Sequence, residues 1–205
     1  SGSQILRHDA IVEVQRKSAQ LAIELARRAP GPVRLLNLGG GFGIPYFPGE
    51  QPLDLGPVGD GLSTILPTIA AELPEAQVTV ELGRFLVGES GVYVCRVLDR
   101  KVSRGQVFLV TDGGLHHHLA ASGNFGQVIR KNFPVLVATR IGIGATENAS
   151  VVGPLCTPLD LLADRMDLAR AEIGDLIAVF QSGAYGFTAS PHLFLSHPEP
   201  REVVV

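Results

Sequence analysis

The spacing of apolar residues changes character near residue 93, and that change limits the fold more than any other feature of the chain. Up to Tyr93, helical and extended patterns alternate. Residues 9–29 carry the best helical pattern, with Val14, Leu21, Ala22, Leu25 and Ala29 on one stripe and Pro30-Gly31-Pro32 as the stop. A short apolar run at 33–38 ends in three glycines. Residues 62–73 read as a second helix whose first turns Pro67 bends or demotes. Residues 77–82 then alternate, with Val78, Val80 and Leu82 on one face and Thr79 and Glu81 on the other. Strand, helix and strand in that order imply parallel βα units. From Cys95 onward, residues 95–101, 106–111, 135–141, 149–152, 176–181 and 202–205 read as strands, and only 159–171 reads as a helix or a pair of turns. An α/β part followed by an antiparallel β part is therefore expected, with the boundary at 91–95.

Bulk properties narrow the class further. The 205 residues can bury a substantial core, and a formal net charge of −3 does not favour a nucleic-acid surface. Cys95 and Cys156 form no CxxC pair, which argues against a structural zinc site or a disulfide scaffold and suits a reducing cytoplasm. No apolar run has the length of a membrane span, and the Ser-Gly-Ser-Gln start has no signal-peptide pattern.

Four segments carry candidate chemistry. Leu38-Gly39-Gly40-Gly41-Phe42-Gly43-Ile44-Pro45-Tyr46 follows an apolar strand. Successive glycines let backbone N–H groups converge on one point, a nest for a phosphate. No Lys-Ser/Thr follows, so this is not a Walker A loop, and Ile-Pro-Tyr-Phe-Pro stands where a dinucleotide fingerprint would open a helix. Glu81-Leu82-Gly83-Arg84 puts a carboxylate at the C-terminal end of a strand, where barrel active sites lie. An inward Glu81 there needs a cationic partner, such as Arg84 or a protonated ring nitrogen. Gly153-Pro154-Leu155-Cys156-Thr157-Pro158-Leu159-Asp160 and Gly183-Ala184-Tyr185 complete the set. Read singly, each has a plain alternative: a ligand-free turn, a Glu–Arg pair, a small apolar cysteine, a packed tyrosine. His116-His117-His118 is set aside as a metal cluster, because neighbours on a strand point to opposite faces.

In their order along the chain these segments resemble the fold-type III pyridoxal-phosphate (PLP) decarboxylases, the group of diaminopimelate, ornithine and arginine decarboxylases. Gly2-Ser3-Gln4 looks like the end of the family's His-x-Gly-Ser segment. The triple glycine, a variant of Glu-Pro-Gly-Arg, Asp112-Gly113-Gly114, Gly-Pro-x-Cys and Gly-Ala-Tyr follow in family order. Residues 92–119 further resemble decarboxylase-like proteins associated with exosortase and exopolysaccharide gene clusters. The resemblance implies the C-terminal part of a (β/α)8 alanine-racemase-like barrel over 1–94, then an antiparallel β-barrel domain over 95–205, with terminal strands able to complete the barrel. It also implies a homodimer with shared active sites. Ser3, Gly40, Gly41, Gly83 and Arg84 would surround the phosphate, with the Tyr185 hydroxyl added. Glu81 would hold the pyridine nitrogen, and Cys156 would deliver a proton from the other subunit. Asp112 and Thr157 would lie near the substrate side chain.

The departures from the family carry information. Leu82 replaces a proline. Thr157 stands where relatives have an acid for a distal amino group, and the arginine and tyrosine used for diaminopimelate's distal carboxylate are missing from 120–124. The expected substrate is an amino acid whose far end lacks a free ammonium, one carried on another group or protein, and not meso-diaminopimelate. Lys17, Lys101 and Lys131 stand in the wrong contexts for the family's Schiff-base lysine, which is expected upstream in a longer protein. A whole barrel of this kind takes about 250 residues. The alternative is a non-catalytic relative that keeps the fold as a binding or regulatory partner.

Overall fold

The computed structural model describes residues 2–127 and 129–205. Ser1, where the expected first domain begins, and Val128 lie outside them. The chain divides into two compact units, the first running to Leu86 and the second from Val87 to Val205.

In the first unit, α1 (His8–Ala26) and α2 (Gly56–Glu72) pack on a two-stranded parallel sheet of β1 (Leu35–Asn37) and β2 (Gln77–Thr79). The buried face of α1 is not the expected stripe. Ile11, Gln15 and Ala19 are buried, while Leu21 and Leu25 are 56% and 58% exposed. A step of four residues outranks side-chain bulk here, because small Ala19 lets the helix approach the Leu36, Leu38, Ile69 and Leu73 core. At the other end Ile11 packs with Phe42, Leu53 and Val58. Gly61 permits the crossing of the two helices, since a Cβ there would lie 2.7 Å from Val12 Cγ1.

Helix α2 starts earlier than expected and runs through Pro67. Pro57 occupies its first turn, where a missing N–H costs nothing, and Asp54 Oδ1 accepts the Gly56 N–H at 2.9 Å. Strand β2 is shorter than the alternation predicts, but the parallel pairing persists past it. Leu38 N–H donates to the Thr79 carbonyl and Glu81 N–H to the Gly39 carbonyl, both at 2.9 Å.

The second unit is a six-stranded sheet, with β3 (Tyr93–Ser103), β4 (Gln106–Thr111), β5 (Val135–Val137), β6 (Thr146–Val152), β7 (Leu161–Ala169) and β8 (Leu176–Val179). Its order is β5-β8-β3-β4-β6-β7. It is mixed and not wholly antiparallel as expected, because β4 and β6 pair in parallel. The β3–β4 hairpin turns on Arg104 and Gly105, both with positive φ, a turn that suits the twist of the strands. Between the two edges of the sheet, Asn132 Nδ2 donates to the Asp164 carbonyl at 2.7 Å, and Asp164 N–H returns to Asn132 Oδ1 at 2.8 Å. The sheet therefore nearly closes.

Three expected elements differ. The strand expected over 135–141 ends with β5, and Ala138–Arg140 form a 3-10 turn. Residues 159–171 read as a helix but form β7. The ladder with β6 slips between Ala149↔Met166 and Val151↔Ala163, and Arg165 has φ 47°. This bulge breaks the two-residue period, so the apolar spacing imitates a helix. Residues 202–205 pair with nothing among the described residues and are exposed. Their β-branched composition has no ladder to join.

Candidate functional site

The first unit draws three segments together at the C-terminal ends of β1 and β2. Residues 2–5 run beside 41–43: Ile5 N–H donates to the Gly41 carbonyl at 2.8 Å, and Gly43 N–H to the Ile5 carbonyl at 2.9 Å. Ser3 lies in that segment and is exposed. Gly40 presses on the third segment, since a Cβ there would stand 2.0 Å from the Glu81 carbonyl oxygen. Gly41, at φ +84°, presses on the first, 2.2 Å from the Gly2 carbonyl oxygen by the same measure. Only glycine serves at either position. Among the described residues neither Gly40 N–H nor Gly41 N–H donates a hydrogen bond, so both remain available to a phosphate.

Glu81 is exposed, and its side-chain partner is Asn37 where a cation was expected. Asn37 Nδ2 donates to Glu81 Oε1 at 2.5 Å, while Asn37 Oδ1 accepts the Gly39 N–H at 2.7 Å. One amide thus fixes both the carboxylate and the start of the glycine run. Arg84 follows Gly83 in a single helical turn, with its guanidinium 5.3 Å from the centre of the Tyr46 ring.

The second unit holds the remaining candidates. Asp112 is exposed at the end of β4, where its N–H and Oδ1 pair with the Arg96 carbonyl and N–H at 3.0 and 2.7 Å. Cys156 is exposed and free. Thr157 braces the same loop, its N–H donating to the Leu155 carbonyl at 2.8 Å and its Oγ1 accepting the Leu159 N–H at 3.3 Å. Cys95 differs: burial pushes its thiol up to about 12, so it stays protonated. Tyr185 stands at φ 59°, strained for a residue with a Cβ, with its ring 5.8 Å from Phe125.

Several residues that tie these loops together were given no role by sequence reasoning. Asp160 is 3% exposed and receives the Leu115 N–H on Oδ1 at 2.6 Å and the Leu155 N–H on Oδ2 at 2.8 Å. The three histidines lie in a turn and not on a strand, with the His117 and His118 N–H groups both on the Gly114 carbonyl. His118 Nδ1 accepts the Ala121 N–H at 3.2 Å, so its proton sits on Nε2, which donates to Ser182 Oγ at 2.9 Å. Ser182 in turn donates to the Val179 carbonyl at 2.8 Å, directly before Gly183-Ala184-Tyr185. Burial pushes His118 down to about 4, so it stays neutral. His117 bridges the Tyr93 hydroxyl at 3.0 Å and the Pro198 carbonyl at 2.7 Å. His116 is fully buried, with both ring nitrogens lacking a partner among the described residues. No group of three metal-ligating side chains occurs among those residues, and no helix among them is long and apolar enough to cross a membrane.

Residues 13–183 match the family described as "Pyridoxal-dependent decarboxylase, C-terminal sheet domain". The L-glutamyl-[BtrI acyl-carrier protein] decarboxylase of Niallia circulans is 38% identical over 208 residues, covering 100% of this chain and 48% of that protein. The diaminopimelate decarboxylase of Archaeoglobus fulgidus is 34% identical, covering 100% and 47%. Among solved structures, diaminopimelate decarboxylase from Helicobacter pylori complexed with L-lysine superposes with a TM-score of 0.77 at 28% identity, covering 97% of this chain and 46% of that one. The chain spans about half the length of the curated relatives it matches. With this sheet, this order of segments and these matches, the chain belongs to the pyridoxal-dependent decarboxylase family.

Proposed function

We propose that the protein containing this chain is a PLP-dependent amino-acid decarboxylase, whose cofactor cradle lies in the first unit and whose proton-donor loop lies in the second. The observation that carries the reading is the convergence of residues 2–5, 39–43 and 81–84, with the Gly40 and Gly41 N–H groups lacking partners among the described residues. That site fits a phosphorylated cofactor with a basic ring nitrogen. Glycine N–H groups, Ser3, Gly83 and Arg84 would hold the phosphate, and Glu81 would accept a hydrogen bond from the ring. Asn37 keeps Glu81 at its post. PLP, when bound, supplies the electron sink for the carbanion that loss of carbon dioxide leaves. Cys156, exposed on its loop, delivers the proton, and the shared site makes the active form a homodimer. Tyr185 adds its hydroxyl to the phosphate, and Asp112 lines the substrate side.

Thr157 offers no charge to a distal ammonium, so the substrate is an amino acid whose far end is blocked. The name of the Niallia circulans relative, a decarboxylase of a glutamyl group on a carrier protein, supports an acyl-carrier-bound amino acid here. A cytoplasmic setting and a role in exopolysaccharide synthesis belong to the same reading. The intact protein, supplied with PLP, should absorb visible light and release carbon dioxide from a glutamyl-loaded carrier protein faster than from free diaminopimelate. A protein that binds no PLP refutes the activity, and preference for diaminopimelate refutes the substrate. Mixed dimers of Cys156→Ala with Glu81→Gln should recover turnover through the one site that keeps both residues, and no recovery refutes the shared site.

A further inference from the structure

The Asp160 carboxylate occupies a slot walled by two glycines. A Cβ at Gly114 would lie 2.2 Å from Oδ1, and one at Gly153 would lie 2.3 Å from Oδ2. Each oxygen takes one backbone N–H, that of Leu115 at 2.6 Å and that of Leu155 at 2.8 Å. Leu155 immediately precedes Cys156, and Leu115 immediately follows Asp112-Gly113-Gly114. The backbone of Asp160 closes the cysteine loop as well, with its carbonyl accepting the Gly153 N–H at 3.1 Å and its N–H reaching the Thr157 carbonyl at 3.2 Å. A carboxylate accepts on both oxygens, whereas an amide of the same volume accepts on one and turns a donor toward the second N–H. A longer acid does not fit between the two glycines. The two segments joined here are remote in sequence, and they are the ones that carry Cys156 and Asp112.

We infer that Asp160 is a positioning residue that ties the root of the Cys156 loop to the segment at 113–115, so that the proton donor is presented from one fixed place on its own chain. This rests on the proposed role of Cys156. The intact protein with PLP tests it through Asp160→Asn and, independently, Gly153→Ala, which forces the carboxylate out of its slot without removing its charge. Amide hydrogen exchange should accelerate in both 113–118 and 154–159 in Gly153→Ala, whose displaced carboxylate frees both N–H groups, and in at least one of these segments in Asp160→Asn, whose amide keeps one acceptor. Turnover per PLP-loaded site should fall about tenfold or more while the PLP dissociation constant stays within about twofold, because the lost contact acts at the reacting group and not on cofactor binding. A role confined to loop stability would lower Tm and the loaded fraction but leave kcat per loaded site unchanged, and that result overturns the inference. Unchanged exchange in either segment of Gly153→Ala, or in both segments of Asp160→Asn, overturns it as well. A wild-type protein that loads PLP but releases no carbon dioxide overturns the decarboxylase reading and the positioning role with it, whereas the exchange result alone decides whether Asp160 ties the two segments.

Discussion

Acid should weaken the second unit through His118. Its ring is 1% exposed and packs edge-on against Tyr93 at 5.7 Å and Phe133 at 5.6 Å between ring centres. Burial lowers its pKa from 6.5 to about 4, and a proton added at Nδ1 would face the Ala121 N–H that Nδ1 now accepts. The folded value lies below the unfolded one, so the unfolded chain binds the proton first. Stability is therefore complete above about 6.5 and is lost as pH falls toward 4. Between pH 7 and pH 5 this one group costs about 2 kcal/mol, given 1.36 kcal/mol for each unit of difference.

His118→Phe keeps a ring of similar shape but leaves the buried Ala121 N–H without an acceptor, a loss of about 1–3 kcal/mol that does not vary with pH. Urea unfolding of the intact protein, followed by circular dichroism, should show the wild type ahead of the variant at pH 7. That lead should shrink by about 2 kcal/mol at pH 5. His116 and His117, which burial also lowers, remain in both proteins and cancel in the difference. An equal lead at the two pH values refutes the assignment of a neutral, clamped His118.

Iodoacetamide at neutral pH should label Cys156 and spare Cys95, as peptide mass spectrometry would report, because only Cys156 is exposed and the Cys95 thiol holds its proton up to about pH 12. Gly40→Ala should cut PLP affinity about tenfold or more, read by absorbance titration, since its Cβ meets the Glu81 carbonyl oxygen and must displace the backbone that carries the carboxylate. Asn37→Asp places a second carboxylate where an amide N–H now donates to Glu81. Repulsion should turn Glu81 away and weaken PLP binding, read by the same absorbance titration. Unchanged affinity would detach Asn37 from Glu81.

The reading of the sequence succeeded where one residue type permits one local geometry. The glycine run after an apolar strand had to turn and expose backbone N–H groups, and Gly39 and Gly41 do stand at positive φ. The strand at 106–111 was legible to the residue, because an apolar run of β-branched and aromatic residues starts directly after a tight turn at Arg104-Gly105. It failed where tertiary pairing rewrites the period. The bulge at Arg165 made a strand look helical, and Ala19 buried the face of α1 that bulkier residues seemed to disown. Parallel pairing of β4 with β6 was out of reach too, since nothing in either strand encodes the direction of its neighbour.

Asp160 and His118 show why a motif names the ends of a site more readily than what holds them. Asp160 stands inside the Gly-Pro-x-Cys stretch and His118 inside a run of three histidines. The chemistry of each depends on a partner far along the chain, Leu115 for the acid and Ser182 for the imidazole. One readable trace existed: Gly114 and Gly153 each lack a Cβ, and the fold shows that a single carboxylate fills the space of both. Two glycines flanking two separate candidate loops are a signal that the loops share a buried group. In this chain that group joins the segment that carries Cys156, the proposed proton donor, to the one that follows Asp112, proposed to lie near the substrate side chain. Fixing a flexible loop by one buried acceptor costs the folded state little when both oxygens are satisfied. It leaves the thiol on the surface with the residue before it hydrogen-bonded to a buried acid, the fixed placement that the proposed proton donor needs in order to act on one face.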